Sequence, residues 1–217
     1  MAKKSLKRGL FITFDGPDGS GKSTHARLAA KFLKKEGYDC LYTREPGGTR
    51  VGNKIRDVLL NLKRLHISAL TETLLFEASR AELIRRVIKP ALAKNKIVIS
   101  DRFNDATLVY QGYAGHVPIH DIYKIESVSM KGQVPDFTIF FDIDAKVGLK
   151  RAGLKRKDRM ERKKLSFHRA VRGGYLDLAR CNKKRIKVIK TKATIDETFE
   201  IVKKEVLSVV RRYKRSR

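Results

Sequence analysis

Tryptophan is absent from this 217-residue chain, prolines number 5 and cysteines 2, and acidic side chains are heavily outnumbered by basic ones. Each scarcity excludes something. Cys40 and Cys181 lie far apart, with no CxxC pair and no Cys/His cluster beside either, which argues against a zinc centre and a disulfide framework. A reducing, cytoplasmic setting is the expectation. No apolar run approaches the roughly 20 residues that a membrane-spanning helix needs, so no membrane partner is expected. The N-terminus is basic (Lys3, Lys4, Lys7, Arg8), but Leu10–Phe14 is too short and too β-like for the apolar segment of a signal sequence. No internal repeat, low-complexity linker or domain boundary is visible, and the length suits one domain with a sizeable core.

Acid is the scarcer charge: 50 Lys+Arg against 23 Asp+Glu leave a formal net charge of +27. A surplus of that size attracts nucleic acid. However, the basic residues are spread along the chain, with local runs at 150–164, 183–192 and 211–217, and aromatics make up only 8%. No nucleic-acid-binding signature accompanies them. A solvated lysine-rich surface is the plainer reading, and it leaves nucleic acid as a non-specific, salt-sensitive partner.

What is present is concentrated first in residues 10–24. A β-forming run, Leu10-Phe11-Ile12-Thr13-Phe14-Asp15, leads into Gly16-Pro17-Asp18-Gly19-Ser20-Gly21-Lys22-Ser23-Thr24, and a helical pattern follows from His25 to Glu36. Strand, G-x-x-x-x-G-K-S loop and helix is the context in which this motif cradles phosphate. Gly16 and Gly21 allow the tight turn and the close approach of backbone amides to an anion. The motif assigns Lys22 to the β- and γ-phosphates and the Ser23 hydroxyl to Mg²⁺. A nucleoside triphosphate is the expected ligand.

Further along, residues 39–43 read as a second strand running into the turn-rich Arg44-Glu45-Pro46-Gly47-Gly48-Thr49, and a helix is expected over about 52–61. Ser68 is placed to cap a long helix reaching about Pro90, with Leu74, Leu75, Ala78 and Leu83 facing inward, Pro90 as a possible kink and Asn95 as its end. Residues 96–101 form a buried-strand pattern ending in Asp101, the position of a second metal-binding carboxylate in such folds. A helical segment to Gln111 and another over 119–131 precede a fourth strand at 136–142. Asp144 caps a helix to Arg151, and a charged stretch covers 152–160. Residues 161–180 are amphipathic, 185–189 form a fifth strand, and 195–213 a final helix. Alternation of this kind predicts a three-layer α/β P-loop fold: a five-stranded parallel sheet with helices on both faces. Ligands collect at the carboxyl ends of such strands.

The patches TREPGGT (43–49), LLFEASR (74–80), VIKPAL (87–92), VISDR (98–102), YQG (110–112), PDFTIFFD (135–142), GLKRA (148–152) and DRME (158–161) resemble the thymidylate kinase family in order and spacing, over nearly the whole chain. The resemblance implies transfer of the ATP γ-phosphate to dTMP, giving dTDP, by a single domain with a short lid near 152–160. It also implies a homodimer through helices on one sheet face.

Phosphoryl transfer between two polyanions requires positioning and cations more than covalent chemistry. Arg44 and Arg102, at strand ends, suit a bidentate grip on the acceptor phosphate. By resemblance, Phe76 stacks on the thymine and Arg80 hydrogen-bonds to it; periodicity alone would make Phe76 core and Arg80 a solvated face. Tyr110 and Gln111 fall where the family contacts sugar and base, Thr107 near the base, and Asp18 at the acceptor 3′-hydroxyl. Arg151 matches the arginine that stacks on the donor adenine. Gly19 stands where some relatives carry arginine, so the catalytic cation is expected from the lid: Arg159 first, Arg156 next. Glu161 is expected to support substrate or Mg²⁺, and Asp101 and Ser23 to hold the metal.

Asn53, Ser79, Leu83, Asp105 and Ala106 depart from the family pattern and bear on acceptor preference. Two rivals therefore stay open: a kinase for another nucleoside monophosphate, and a nucleic-acid-stimulated P-loop ATPase.

Overall fold

A computed structural model describes residues 4–61, 66–153 and 158–215. The strands are β1 (Leu10–Asp15), β2 (Cys40–Arg44), β3 (Ile97–Asp101), β4 (Phe137–Asp142) and β5 (Ile186–Lys190). All neighbours are parallel, in the order β2-β3-β1-β4-β5. The three middle strands, β3, β1 and β4, are buried along their whole length, because a parallel sheet is covered on both faces and its middle must be apolar on both. Alternation along the strands sorts the two cores. Leu10, Ile12 and Phe14 join Ile97, Ile99, Ile139 and Phe141 on one face, whereas Phe11, Val98 and Phe140 point to the other.

The first face is covered by α1 (Lys22–Lys35) and α9 (Ile195–Arg215). Ala26, Ala29, Ala30 and Leu33 of α1 pack with Val202, Val206, Val209 and Val210 of α9 in that core. The opposite face carries α3 (Ala69–Leu83), α6 (Ile119–Met130) and α8 (Leu165–Cys181). The remaining described helices are short: α2 (Arg50–Arg56), α4 (Lys89–Ala93), α5 (Asn104–Thr107) and α7 (Ala145–Ala152). Ser68 caps α3 by accepting from the Thr71 amide, and Asp144 caps α7 by accepting from the Lys146 and Val147 amides, as their positions predict.

Two expectations are corrected. First, the face of α3 is not the expected one. Leu74 is 48% exposed and Ala78 is also exposed. Leu83 is buried and Leu75 half-buried, but Glu72, Thr73, Glu77, Ser79 and Arg80 are the other residues that face in. The inner side of α3 carries these polar groups beside Leu75, Phe76 and Leu83, and leaves Leu70, Leu74 and Ala78 facing out. Second, three helical stretches widen into π turns: Asp57–Asn61, Ile84–Ile88 and Leu108–Tyr113. The turn at Ile84–Ile88 carries the long helix into α4, where Pro90 sits near the helix start and loses no needed amide bond. The turn at Leu108–Tyr113 carries Tyr110 and Gln111, in keeping with the frequency of such bulges at functional sites.

Candidate active site

The loop after β1 needs its glycines. Gly16, Gly19 and Gly21 have φ of 150°, 74° and 84°, conformations that side chains disfavour. A Cβ on Gly19 would lie 2.0 Å from the Gly148 carbonyl oxygen, so this position has no room for a side chain of any kind. Position 19 therefore offers the phosphates no cation, and any cation besides Lys22 comes from another segment.

That loop opens onto a cavity of about 390 Å³ at the carboxyl ends of β1, β2 and β3. Asp18, Gly19, Gly21, Lys22, Ser23 and Thr24 line its donor end, and Arg151 approaches from α7. Arg44, Asp101 and Arg102 line it from the strand ends. Phe76, Arg80, Thr107, Tyr110 and Gln111 line it from the α3 and α5 side, and Glu161 from the segment before α8. Nearly all the residues singled out from the sequence thus meet in one space. Gly16, Pro17 and Ser20 build the loop without lining the cavity, and Arg159 does not line it either. Arg156 lies outside the described residues.

Lys22 is buried; its Nζ donates to the Pro17 carbonyl at 3.2 Å and lies 3.5 Å from Asp18 Oδ1. Burial, with Arg102 nearby, lowers its pKa. Arg102 is held with φ of 71°, a left-handed backbone rare for a residue with a side chain. Its amide donates to the Phe14 carbonyl at 3.0 Å, and its own carbonyl accepts from Ser100 Oγ at 2.7 Å. This aims the guanidinium across the loop. Nη2 donates to Asp18 Oδ1 at 2.7 Å and to Tyr110 Oη at 2.9 Å, and Nη1 donates to the Gly16 carbonyl at 3.0 Å and to Tyr175 Oη at 3.2 Å. Tyr110 Oη in turn donates to Asp18 Oδ2 at 3.1 Å. Burial alone would raise the Asp18 carboxyl, but Arg102 and Lys22 outweigh it and hold it below the usual range.

Asp15, Tyr175 and Arg56 belong to the site and were not read from the sequence. Tyr175 Oη donates to Asp15 Oδ1 at 2.9 Å. Burial, then the nearby Asp105, pushes the Asp15 carboxyl up to about 7. Arg56 lines the cavity and donates to the Pro46 carbonyl at 2.8 Å. Burial and its neighbour Arg44 lower its pKa. The one local signal for Arg56 was its place in the Asn53-Lys54-Ile55-Arg56 patch; Tyr175, 160 residues from Asp15, had none.

Arg80 is 1% exposed, which rejects the solvated-face alternative. Its Nε donates to Glu45 Oε2 at 2.9 Å, Nη2 to Thr107 Oγ1 at 2.9 Å, and Nη1 to Glu77. Glu126 Oε1 stands 3.9 Å from Nη1. Burial would lower the Arg80 pKa, but Glu45, Glu77 and Glu126 outweigh it and raise it. In the other direction, burial pushes Glu45 up to about 7 and Glu126 up to about 8. The departures from the family pattern find structural work here. Gly47 N donates to Ser79 Oγ at 3.1 Å and Gly48 N to Asn53 Oδ1 at 3.2 Å, so both hold the loop after β2. Asp105 is gripped by Arg185 through two bonds of 2.7 and 2.8 Å. Leu83 is core and Ala106 lines the cavity.

In the segment expected to form a lid, Arg159 is anchored away from the cavity. Arg159 pairs with Glu72 of α3, its Nε donates to the Leu59 carbonyl at 2.8 Å, and its amide to the Leu60 carbonyl at 3.3 Å. Glu161 accepts from the Asp158 amide at 3.0 Å, and burial raises its pKa.

A P-loop after the central strand of a five-stranded parallel sheet, opening onto an arginine-lined cavity at the strand ends, is the arrangement of a P-loop phosphotransferase of the nucleoside monophosphate kinase class. A family model described as thymidylate kinase matches residues 14–202. The thymidylate kinase of Thermoanaerobacter sp. (strain X514) is 42% identical over 208 residues, covering 95% of this chain and 99% of that protein. That of Caldanaerobacter subterraneus subsp. tengcongensis is 47% identical over 173 residues, covering 80% and 83%. The crystal structure of thymidylate kinase from Ehrlichia chaffeensis matches with a TM-score of 0.75 at 34% identity, covering 92% of this chain and 99% of that one. The chain belongs to the thymidylate kinase family.

Proposed function

We propose that the chain transfers the γ-phosphoryl group of ATP to dTMP, giving dTDP and ADP. The observation that carries this reading is the single cavity in which Lys22 and the loop amides face Arg102, Tyr110 and the Phe76–Arg80 pocket. The P-loop end takes the ATP phosphates, with Arg151 on the adenine side. Arg102 and Arg44 hold the acceptor phosphate, Phe76 and Arg80 the thymine, and Tyr110 the deoxyribose. Asp18, kept as an acceptor by Arg102, receives the 3′-hydroxyl. An acceptor that is already a phosphate oxyanion needs no general base, so the task is to bring two anions together and neutralise the charge between them.

Ser23 and Asp101 both line the cavity and offer oxygen ligands. Such a sparse set fits Mg²⁺, which keeps several waters and binds through one or two protein oxygens plus substrate phosphates. Bound there, the ion would neutralise the β- and γ-phosphate oxygens of ATP. Arg159, drawn to Glu72, positions the closing segment. Arg151 lines the cavity, whereas Arg159 does not.

We infer further that two copies associate through α3, whose Leu70 and Leu74, one turn apart, are 51% and 48% exposed. No helix among the described residues is long and apolar enough to cross a membrane, which suits work in the cytoplasm. A panel of deoxy- and ribonucleoside monophosphates with ATP and Mg²⁺ tests the reading. The diphosphate is expected chiefly from dTMP; a preference for another monophosphate rejects the acceptor assignment, and nucleic-acid-stimulated hydrolysis with no diphosphate rejects the kinase.

A further inference from the structure

A base is told from its rivals by donors and acceptors, and an amide side chain offers one of each on opposite poles. An unconstrained glutamine therefore reads both patterns; selectivity requires that something fix which pole faces the ring. Gln111 lines the cavity, and its Nε2 donates to Glu72 Oε1 at 2.7 Å, inside the protein. The second Glu72 oxygen, Oε2, pairs with Arg159. Glu72 is 6% exposed and Gln111 2%. A carboxylate that is engaged by a guanidinium only accepts, so the amide cannot turn over without setting its oxygen against the carboxylate oxygen.

We propose that Glu72 is the residue that sets pyrimidine selectivity, by locking Gln111 with its Oε1 toward the base. This rests on the dTMP-kinase reading of the site. Beside it, Arg80 can only donate, and its guanidinium is fixed by Glu45, Glu77 and Thr107. The pocket then presents a donor next to an acceptor. The edge that complements it carries a carbonyl next to a ring N–H: O4 and N3–H of thymine or uracil. Cytosine presents the reverse, an amino group and a bare ring nitrogen, and leaves both protein groups facing their own kind. Glu72 touches no substrate and acts only through Gln111, so it is a positioning residue. Its position is also where base reading meets the lid, because Arg159, its other partner, belongs to the closing segment.

The experiment compares kcat/KM for dTMP and dCMP, first in the wild type, then in Glu72→Gln and Glu72→Asp. Glu72→Gln can donate as well as accept, so Gln111 becomes free to turn. The dTMP-to-dCMP ratio is expected to fall by at least about tenfold, through KM moving in opposite directions for the two acceptors. Glu72→Asp keeps an acceptor and is expected to restore most of the ratio. Equal losses with both acceptors in Glu72→Gln would overturn the proposal, leaving Glu72 as a lid anchor. A wild type that does not phosphorylate dTMP would overturn the function on which the proposal rests, and that outcome is read separately, before any variant. Should Glu72→Gln fail to fold, Glu72→Met, which fills the space but accepts nothing, puts the same question: a collapsed ratio supports the proposal, and equal losses with both acceptors overturn it.

Discussion

Arg102 Nη2 and Asp18 Oδ1 lie 2.7 Å apart, although 84 residues separate them in the chain. The bond ties the end of β3 to the phosphate loop and sets the cation proposed for the acceptor phosphate against the carboxylate proposed for the acceptor's 3′-hydroxyl. Arg102→Ala should therefore act mainly on the acceptor, raising the KM for dTMP by about tenfold to a hundredfold while the KM for ATP moves little. Steady-state kinetics with each substrate varied in turn will show this. A loss confined to ATP would place Arg102 on the wrong nucleotide.

Asp18, held low by Arg102 and Lys22, contributes stability that is present above its unfolded pKa and is lost as pH falls through the folded one. Asp18→Asn should accordingly flatten the acid limb of the stability curve, as followed by unfolding at pH values from neutral down into the acid range. Parallel acid limbs for variant and wild type would contradict that pairing.

The Arg80 cluster works with the opposite sign. Burial raises Glu45 to about 7 and Glu126 to about 8, so the folded protein binds more protons than the unfolded chain from the ordinary glutamate range up to those values. Stability falls as pH rises through that window. Arg80, Glu77, Asp105 and Asn104 face Glu126. Glu126→Gln keeps the shape without the charge; at pH 8–9 it should be more stable than wild type by about 1–3 kcal/mol, with little difference at pH 5. Thermal unfolding across pH 5–9 reads this, and a constant offset between the two curves would contradict it.

Arg159 holds Glu72 and the Leu59 carbonyl instead of the cavity. Arg159→Met should then cost about tenfold in kcat, through loss of lid positioning, not the 10²–10³ expected when a group on the migrating charge is removed. A thousandfold loss would return Arg159 to the reacting phosphates.

Leu74, exposed on the outer stripe of α3, is the residue on which the proposed dimer turns. Leu74→Glu should yield a monomer by sedimentation or light scattering, with the cavity intact. An unchanged mass would move the contact to another face.

Much of this was legible in the sequence where the physics is local. The glycine loop, the Ser68 and Asp144 caps and the β-rich cores of β1, β3 and β4 each follow from a few adjacent residues. The inner face of α3 was not legible, because periodicity assumes an apolar inside, whereas this helix turns Glu72, Glu77 and Arg80 toward a cleft. Arg80 gathers Glu45 from the end of β2, Thr107 from α5 and Glu126 from α6, partners with no common spacing. Tyr175 reaches Asp15 and Arg102 from α8 for reasons that only the assembled sheet supplies.

The most direct measurement of the central claim follows label from γ-³²P-ATP in the presence of dTMP and Mg²⁺. Labelled dTDP should form stoichiometrically with ADP, and Lys22→Ala should cut its rate by about 10²–10³. Label recovered only as inorganic phosphate, or undiminished transfer by Lys22→Ala, would contradict the account.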